Sequence, residues 1–216
     1  MLSGNGKEPV KMNLEKYLKP TEYIESDHPD IIAFVQTYTN NDDNAITKAV
    51  KLFYAVRDQI HYDPYTFNLN PESLKASHAV KQEKSYCIPK AVLMTAVSRA
   101  ANIPARMGFA DLINHSMSGE LKEILNTNRL VWHGYTELFL NDQWIKTTPA
   151  FNVKLCKRMN VPPVEFNGTD HAKFPSTDNA GNKHMEYCHY HGIFDDPPVD
   201  RIFTTMKAQY PILNSL

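Results

Sequence analysis

The segment at residues 86–102, YCIPKAVLMTAVSRAAN, constrains the fold more than any other part of the chain. It is apolar almost all round a helical projection, whereas a helix at a protein surface carries a polar face. The segment therefore predicts a helix buried in the middle of the fold, which ends before the sequence IPAR at residues 103–106. Other elements must then pack around this helix on all sides.

Helical spacing also occurs upstream of that segment. In residues 42–60, DDNAITKAVKLFYAVRDQI, apolar side chains recur three or four residues apart, which predicts an amphipathic helix. Asp42 or Asp43 can cap this helix, since a side-chain oxygen there accepts from a free backbone N–H group. A shorter helix is predicted within residues 26–38, with Ser26 or Asp27 as its cap.

Downstream of the buried segment, the hydrophobic pattern alternates as it does in strands. Three strands are predicted, at residues 105–112, 129–140 and 143–151. The last two are joined by a turn at residues 141–142, Asn-Asp. Residues 153–195, rich in Pro, Gly, Asn and Asp, predict long loops with short strands, and residues 197–211 predict a closing helix. Helices followed by antiparallel strands predict one α+β domain over residues 1–216.

Charge and composition exclude several classes of protein. Lys and Arg total 23 against 24 Asp and Glu, so the basic stripe of a nucleic-acid protein or a membrane anchor is missing. No apolar run reaches the roughly 18 residues that indicate a membrane span. The first 20 residues lack the apolar stretch of a signal peptide. Three cysteines are too few for a disulfide framework, so we expect a cytoplasmic, reducing setting without nucleic-acid or membrane partners.

Cys87 lies at the start of the predicted buried helix. The free N–H groups and partial positive charge of a helix start favour a thiolate over a thiol, and the same N–H groups can hold an oxyanion. Cys87 is therefore a candidate nucleophile. The alternative is that it is a small buried hydrophobe, as most free cysteines are. Cys156 and Cys188 lack this setting.

His133 opens the second predicted strand, in WHGYTELFL at residues 132–140. Alternation places His133, Tyr135 and Glu137 on one face of the strand. A paired strand holds an imidazole rigidly, as a general base requires. A histidine of the core, bonded to a backbone carbonyl, is the alternative, and the catalytic interpretation depends on the combination with Cys87.

The segment HMEYCHYH at residues 184–191 is rich in metal-ligand residue types. Four-residue spacing could bring His184 and Cys188 together on a helix, but no second pair with the spacing of a zinc finger follows. We therefore expect no metal and no cofactor. A loop that lines a cleft, or a helix docked on it, is the simpler interpretation of this segment.

Three stretches together resemble the transglutaminase-like superfamily: SYCIPKAVLMTAVSRAANIPAR, WHGYTELFL and QWIKTTPAFN, with a motif core at about residues 83–152. The segments SDHPDI, IHYDPY and NKHMEYCHYHGIFDDPP are further similar to small stand-alone bacterial members. The resemblance implies a papain-like thiol fold, in which the central helix carrying the Cys packs on an antiparallel sheet. It also implies acyl transfer through a thioester by a Cys-His-Asp triad, with Cys87 as nucleophile and His133 as base.

The third triad position departs from the family pattern, because Thr148 precedes Pro149 where the family has Asp. A threonine hydroxyl can accept a hydrogen bond from the imidazole but cannot stabilise an imidazolium by charge. Thr148, Asn152 or Asp111 could therefore orient His133. The Cys–His pair could also rest as thiolate and imidazolium, which would reduce the need for a carboxylate.

The sequence thus predicts thiol-dependent acyl transfer, or hydrolysis of an amide or peptide. The substrate is expected to be a peptide, a protein or a small amide. Candidate substrate-binding residues are Gln82, which lies near the position of an amide donor in papain-like enzymes, and Tyr62 and Asn152. The alternative is a degenerate peptide-binding module that lost turnover together with the family Asp.

Overall fold

The central element of the protein is a helix that begins at Cys87 and ends at Ala100, in a computed structural model that describes residues 13–215. Every residue from 88 to 99 is buried. Pro89 fits in the first turn, where a backbone N–H has no partner within the helix. The predicted buried helix is therefore confirmed.

The remaining elements surround this helix, and all are named here in chain order. The helices are α1 (Pro29–Tyr38), α2 (Ala45–Gln59), α3 (Ala76–Ala79), α4 (Cys87–Ala100), α5 (Gly119–Leu125), α6 (Val153–Met159) and α7 (Val199–Gln209). The strands are β1 (His61–Tyr62), β2 (Lys84–Ser85), β3 (Ala105–Asn114), β4 (Arg129–Leu140), β5 (Gln143–Thr147) and β6 (Met185–Phe194). None of the helices within residues 13–215 has the length and apolar character that crossing a membrane requires.

Four antiparallel strands form the main sheet, in the order β5-β4-β3-β6, and β1 pairs with β2 in a small parallel sheet. The hairpin between β4 and β5 turns at Asn141 and Asp142, whose φ angles of 48° and 60° match the tight turn predicted there. Helix α4 packs against β3 and β4. The predicted α+β class, with the Cys-bearing helix on an antiparallel sheet, is therefore confirmed.

Helices α1, α2 and α3 cover the other sides of α4. The caps predicted for α1 and α2 are wrong. Asn44, rather than Asp42 or Asp43, caps α2 by accepting from the N–H of Thr47 at 2.9 Å. His28, rather than Ser26 or Asp27, caps α1, which begins at Pro29. Asp43 instead accepts from the Asn40 N–H and from the Lys51 ammonium group.

Residues 153–195 hold more regular structure than their composition predicts. Helix α6 and the ten-residue strand β6 lie within this range, so the prediction of long loops with short strands is wrong there. Strand β6 is at the edge of the sheet and most of its residues are exposed or half-buried. An exposed edge strand needs few apolar residues, so the alternating pattern that reveals a strand is weak.

Candidate active site

Cys87 is the first residue of α4, and its side chain is half-buried at the wall of a cavity. The backbone N–H groups of Gly134, Ile88 and Cys87 itself face the sulfur and favour its thiolate form. Two of these groups belong to the helix start, as predicted, and the third comes from strand β4. The sulfur therefore lies between the first turn of α4 and the peptide that follows His133.

Aromatic side chains surround the sulfur. The loss of hydration that they cause raises its pKa more than the three N–H groups lower it. Burial raises the pKa of Cys87 to about 11, against the opposing effect of the three backbone donors. Tyr62, Tyr86 and Tyr210 line the cavity together with Cys87, and the cavity has a volume of about 200 Å³. A charged thiolate loses its hydration among such groups, which is why the thiol form is favoured.

His133 lines the same cavity as Cys87 and is almost fully buried. The Phe174 ring lies 5.2 Å from the imidazole and the Tyr187 ring 6.3 Å, measured between centroids. Burial lowers the pKa of His133 to about 3. Burial thus disfavours the charged form of each group, the thiolate of Cys87 and the imidazolium of His133, and the thiolate and imidazolium pair stays a prediction.

Gly134 allows strand β4 to approach the start of α4 closely. A Cβ at this position would lie 3.2 Å from the Ile88 Cα, 3.3 Å from the Ala91 Cβ and 3.6 Å from the Cys87 carbonyl oxygen. The absence of a side chain thus lets the peptide after His133 contact the first turn of α4. This role of Gly134 was not predicted from the sequence, although a glycine within a strand often marks the close approach of another backbone.

Trp132, the residue before His133, has a left-handed backbone with φ of 57°. Such a conformation is strained for a bulky aromatic residue and costs on the order of 1–3 kcal/mol. It coincides with an irregular register between β3 and β4, next to Asp111. The Asp111 carboxylate accepts from the Trp132 backbone N–H at 3.0 Å and so replaces a bond of the strand ladder.

Asp111 also binds two cationic or polar side chains. It accepts from His191 Nε2 at 2.6 Å and from the Arg129 guanidinium at 2.8 Å, and the His191 ring stacks on Trp132 with 4.0 Å between centroids. Burial raises the pKa of Asp111, but these hydrogen bonds outweigh it and hold the pKa below its usual value. Asp111 therefore fixes the backbone before His133. Its side-chain bonds go to Trp132, Arg129 and His191, and not to the imidazole of His133.

Thr148 follows β5 directly and is 1% exposed. Its N–H donates to the Ala172 carbonyl at 2.8 Å, whereas its hydroxyl is buried without a hydrogen-bond partner among the described residues. His133 Nε2 is likewise buried and has no hydrogen-bond partner among the described residues. The Tyr187 hydroxyl lies close to the Thr148 hydroxyl, outside hydrogen-bonding geometry. Because the Tyr187 ring also contacts His133, one corner of the site holds three polar groups without hydrogen-bond partners among the described residues.

The three candidate substrate-binding residues occupy different places. Tyr62 lines the cavity of Cys87 and also a larger neighbouring one, and its ring packs against Phe151. Asn152 lines the larger cavity and accepts from the Tyr62 N–H at 3.1 Å, so it does not brace the imidazole through that oxygen. Gln82 donates its amide to the His78 carbonyl at 3.4 Å and lines neither cavity.

The histidine-rich segment lies mostly on strand β6, so its interpretation as a loop or a docked helix is wrong. His184 Nδ1 is 2.9 Å from the Ser116 hydroxyl, and His191 is bound to Asp111. Alternation along a strand sends neighbouring side chains to opposite faces. Within residues 13–215, no three His, Cys, Asp or Glu side chains are placed so that they could hold a metal ion.

Comparison with known proteins adds family information to this geometry. A sequence model of the transglutaminase-like superfamily matches residues 32–149, which is more than half of the chain. A search among curated proteins found no significant match. The crystal structure of a candidate cysteine protease from Cytophaga hutchinsonii is similar with a TM-score of 0.49 and 17% sequence identity, over 84% of this chain and 54% of that one. The chain thus spans about half the length of that protein.

Proposed function

The chain belongs to the transglutaminase-like superfamily, and on that premise we propose that it is a thiol-dependent enzyme that transfers or hydrolyses an acyl group through Cys87. One observation supports this more than any other. The Cys87 sulfur and the His133 imidazole line one small cavity, with the Cys87, Ile88 and Gly134 N–H groups facing the sulfur. A nucleophile, a base and donors for an oxyanion are the parts that acyl transfer requires.

The proposed reaction has two halves. The Cys87 sulfur attacks the carbonyl carbon of an amide while His133 takes the thiol proton, and the oxyanion receives hydrogen bonds from backbone N–H groups. The C–N bond then breaks, and His133 gives the proton to the leaving amine, which leaves a thioester on Cys87. Water or a second amine then attacks the thioester carbonyl while His133 takes its proton. The C–S bond breaks, the new acid or amide leaves, and His133 returns the proton to the Cys87 sulfur.

The desolvation of both groups fits such a sequence. With pKa values of about 11 for Cys87 and about 3 for His133, charge separation is unfavourable until a carbonyl is in place. Proton transfer then accompanies attack, because the negative charge passes from the sulfur to an oxyanion that accepts hydrogen bonds from backbone N–H groups. We propose that Thr148 turns its hydroxyl toward His133 Nε2 at this stage, since both groups are buried and have no hydrogen-bond partner within residues 13–215.

A second candidate function is a peptide-binding module without turnover. The same corner of the site favours it, because His133 Nε2 has no bond partner in the described part of the chain and no carboxylate occupies position 148. An imidazolium formed there would lack charge stabilisation. The two functions differ in whether Cys87 forms and releases an acyl group.

Acetylation by p-nitrophenyl acetate tests the proposal. We expect a burst of p-nitrophenolate and an acetyl group on Cys87, located by peptide mass spectrometry and removed by hydroxylamine as a thioester is. Cys87→Ala should abolish the burst, while Cys188→Ala, which alters an exposed thiol, should keep it. An acetyl group found on Cys188 alone, or a burst that survives Cys87→Ala, would contradict the proposal. An acetyl group that forms but is never released would favour the binding module.

A further inference from the structure

A larger cavity, of about 560 Å³, adjoins the one that holds Cys87 and His133. Both cavities are lined by Tyr62, Tyr65 and Leu130, so a molecule that enters one meets the wall of the other. The cavity of Cys87 is mostly apolar, with Leu125 and Met206 among its lining residues. The larger one differs from it in charge.

Among the charged side chains that line the larger cavity, basic ones outnumber acidic ones. Lys84, Lys154, Arg158 and His61 line it, and Asp63 is the one carboxylate among its lining residues. Asp63 lies 3.5 Å from Lys84 and partly neutralises that ammonium group. The positive charge that remains is concentrated on Lys154 and Arg158.

Lys154 and Arg158 are placed to act together. They are four residues apart on α6, so their side chains project from the same face of the helix. Both are exposed, and neither forms an ion pair with a carboxylate of residues 13–215. Lysine gives a compact charge and arginine a planar fork that matches a carboxylate.

From this arrangement we propose that the larger cavity binds a carboxylate of the substrate. The substrate class is then an acidic peptide, with an apolar group in the cavity of Cys87 and an acidic side chain beside Lys154 and Arg158. Tyr62 lies at the junction between the two parts. This inference rests on the proposed function, because it takes the molecule bound here to be the substrate of Cys87.

Supporting polar groups line the same cavity. Asn152 holds the backbone at Tyr62 through its oxygen, and Ser116 and Ser118 lie on the segment between β3 and α5. Ser118 caps α5 by accepting from the Leu121 N–H at 3.3 Å. These contacts fix the walls, while the two basic side chains supply the attraction.

The test compares two peptides that differ in one charge, N-acetyl-Leu-Glu amide and N-acetyl-Leu-Gln amide. Binding is measured by NMR titration of the Cys87→Ala protein, so that the readout does not depend on chemistry at the thiol. We expect the Glu peptide to bind about fivefold more tightly at low salt, since exposed ion pairs contribute little each and two act together. Added NaCl should reduce the preference, because it screens exposed charges.

Variants of α6 test whether Lys154 and Arg158 cause the preference for the Glu peptide. The double variant Lys154→Ala, Arg158→Ala should bind the two peptides equally, and Lys157→Ala should keep the preference, because Lys157 is exposed on the same helix but lies outside the cavity. Equal binding by the parent protein, or a preference that survives the double variant, would overturn the inference. Failure of the proposed function would show differently, as absence of a Cys87 acyl group while the Glu preference remains.

Discussion

The Asp111 carboxylate accepts a hydrogen bond from the backbone N–H of Trp132 at 3.0 Å, one residue before the candidate base His133. Trp132 would be costly to hold at φ of 57° without such a partner. The bond therefore links an acid on β3 to the position of the imidazole on β4. We interpret Asp111 as a positioning residue that acts through the backbone.

Removal of this carboxylate should loosen the site more than it changes the fold. Asp111→Ala leaves the Trp132 N–H and the Arg129 and His191 side chains without their acceptor, so we expect the free energy of unfolding to fall by about 2–3 kcal/mol. Formation of the Cys87 acyl group should also slow, at a temperature where the variant is folded. Asp111→Asn, which keeps an acceptor oxygen for Trp132, should restore much of that rate.

Glu186→Ala serves as the control, because this exposed carboxylate binds only His115 in the described part of the chain and should change neither quantity. If Asp111→Asn were as slow as Asp111→Ala, the charge of Asp111 would matter rather than its bond to Trp132.

Thr148→Asp installs the carboxylate that the family has at this position. It should raise the pKa of His133 above its value of about 3, because a nearby negative charge stabilises the imidazolium. Measurement of the imidazole nitrogen shifts against pH by NMR gives this pKa directly. Activity should be kept or increased, and Thr148→Ala should reduce it. A His133 pKa unchanged by Thr148→Asp would show that Thr148 does not face the imidazole.

Lys90 connects α4, the helix that begins at Cys87, to α2. Its ammonium group is fully buried and donates to the Val56 carbonyl at 2.9 Å, the Arg57 carbonyl at 3.0 Å and the Ile60 carbonyl. Lys90→Met would leave these oxygens without donors, and we expect it to lower the free energy of unfolding by about 2–4 kcal/mol. Chemical denaturation measures the effect. Lys157→Met, at an exposed site, should change stability little, and equal stability of the two variants would refute this role.

The buried neutral His133 should make stability depend on pH. Its pKa is about 3 in the folded protein and 6.5 for an ordinary histidine, so between these pH values the unfolded chain binds a proton that the folded protein does not. Stability therefore rises with pH through this window, by up to about 1.4 kcal/mol per unit from this group. Denaturation midpoints of the parent and His133→Gln should diverge below pH 6.5. Parallel curves would show that the imidazole titrates normally.

Local patterns were enough to predict the elements that carry the site. The buried helix from Cys87, the strand with His133 and the turn at Asn141 each depend on residues close in sequence. Strand β6 was missed because an exposed edge strand carries a weak alternating pattern. The cap of α2 was assigned within two residues of Asn44, because several polar residues there can cap.

The electrostatics of the site could not be predicted in this way. The helix start near Cys87 favours a thiolate and was visible in the sequence, whereas Tyr62 and Tyr210 reach the thiol from distant segments and desolvate it. The bond from Trp132 to Asp111 likewise depends on the register between two strands. Such contacts follow from tertiary packing and not from local spacing.

The relative rates at which iodoacetamide modifies Cys87 and Cys188, followed by mass spectrometry at neutral pH, test the Cys87–His133 pair most directly. Cys188 is exposed and serves as a reference within the same molecule. We expect Cys87 to react faster than Cys188 although it is less accessible, because His133 takes its proton during attack, and His133→Ala should lower the ratio at least about tenfold. A Cys87 that reacts no faster than Cys188, or a ratio unchanged in His133→Ala, would contradict the pairing of these two residues.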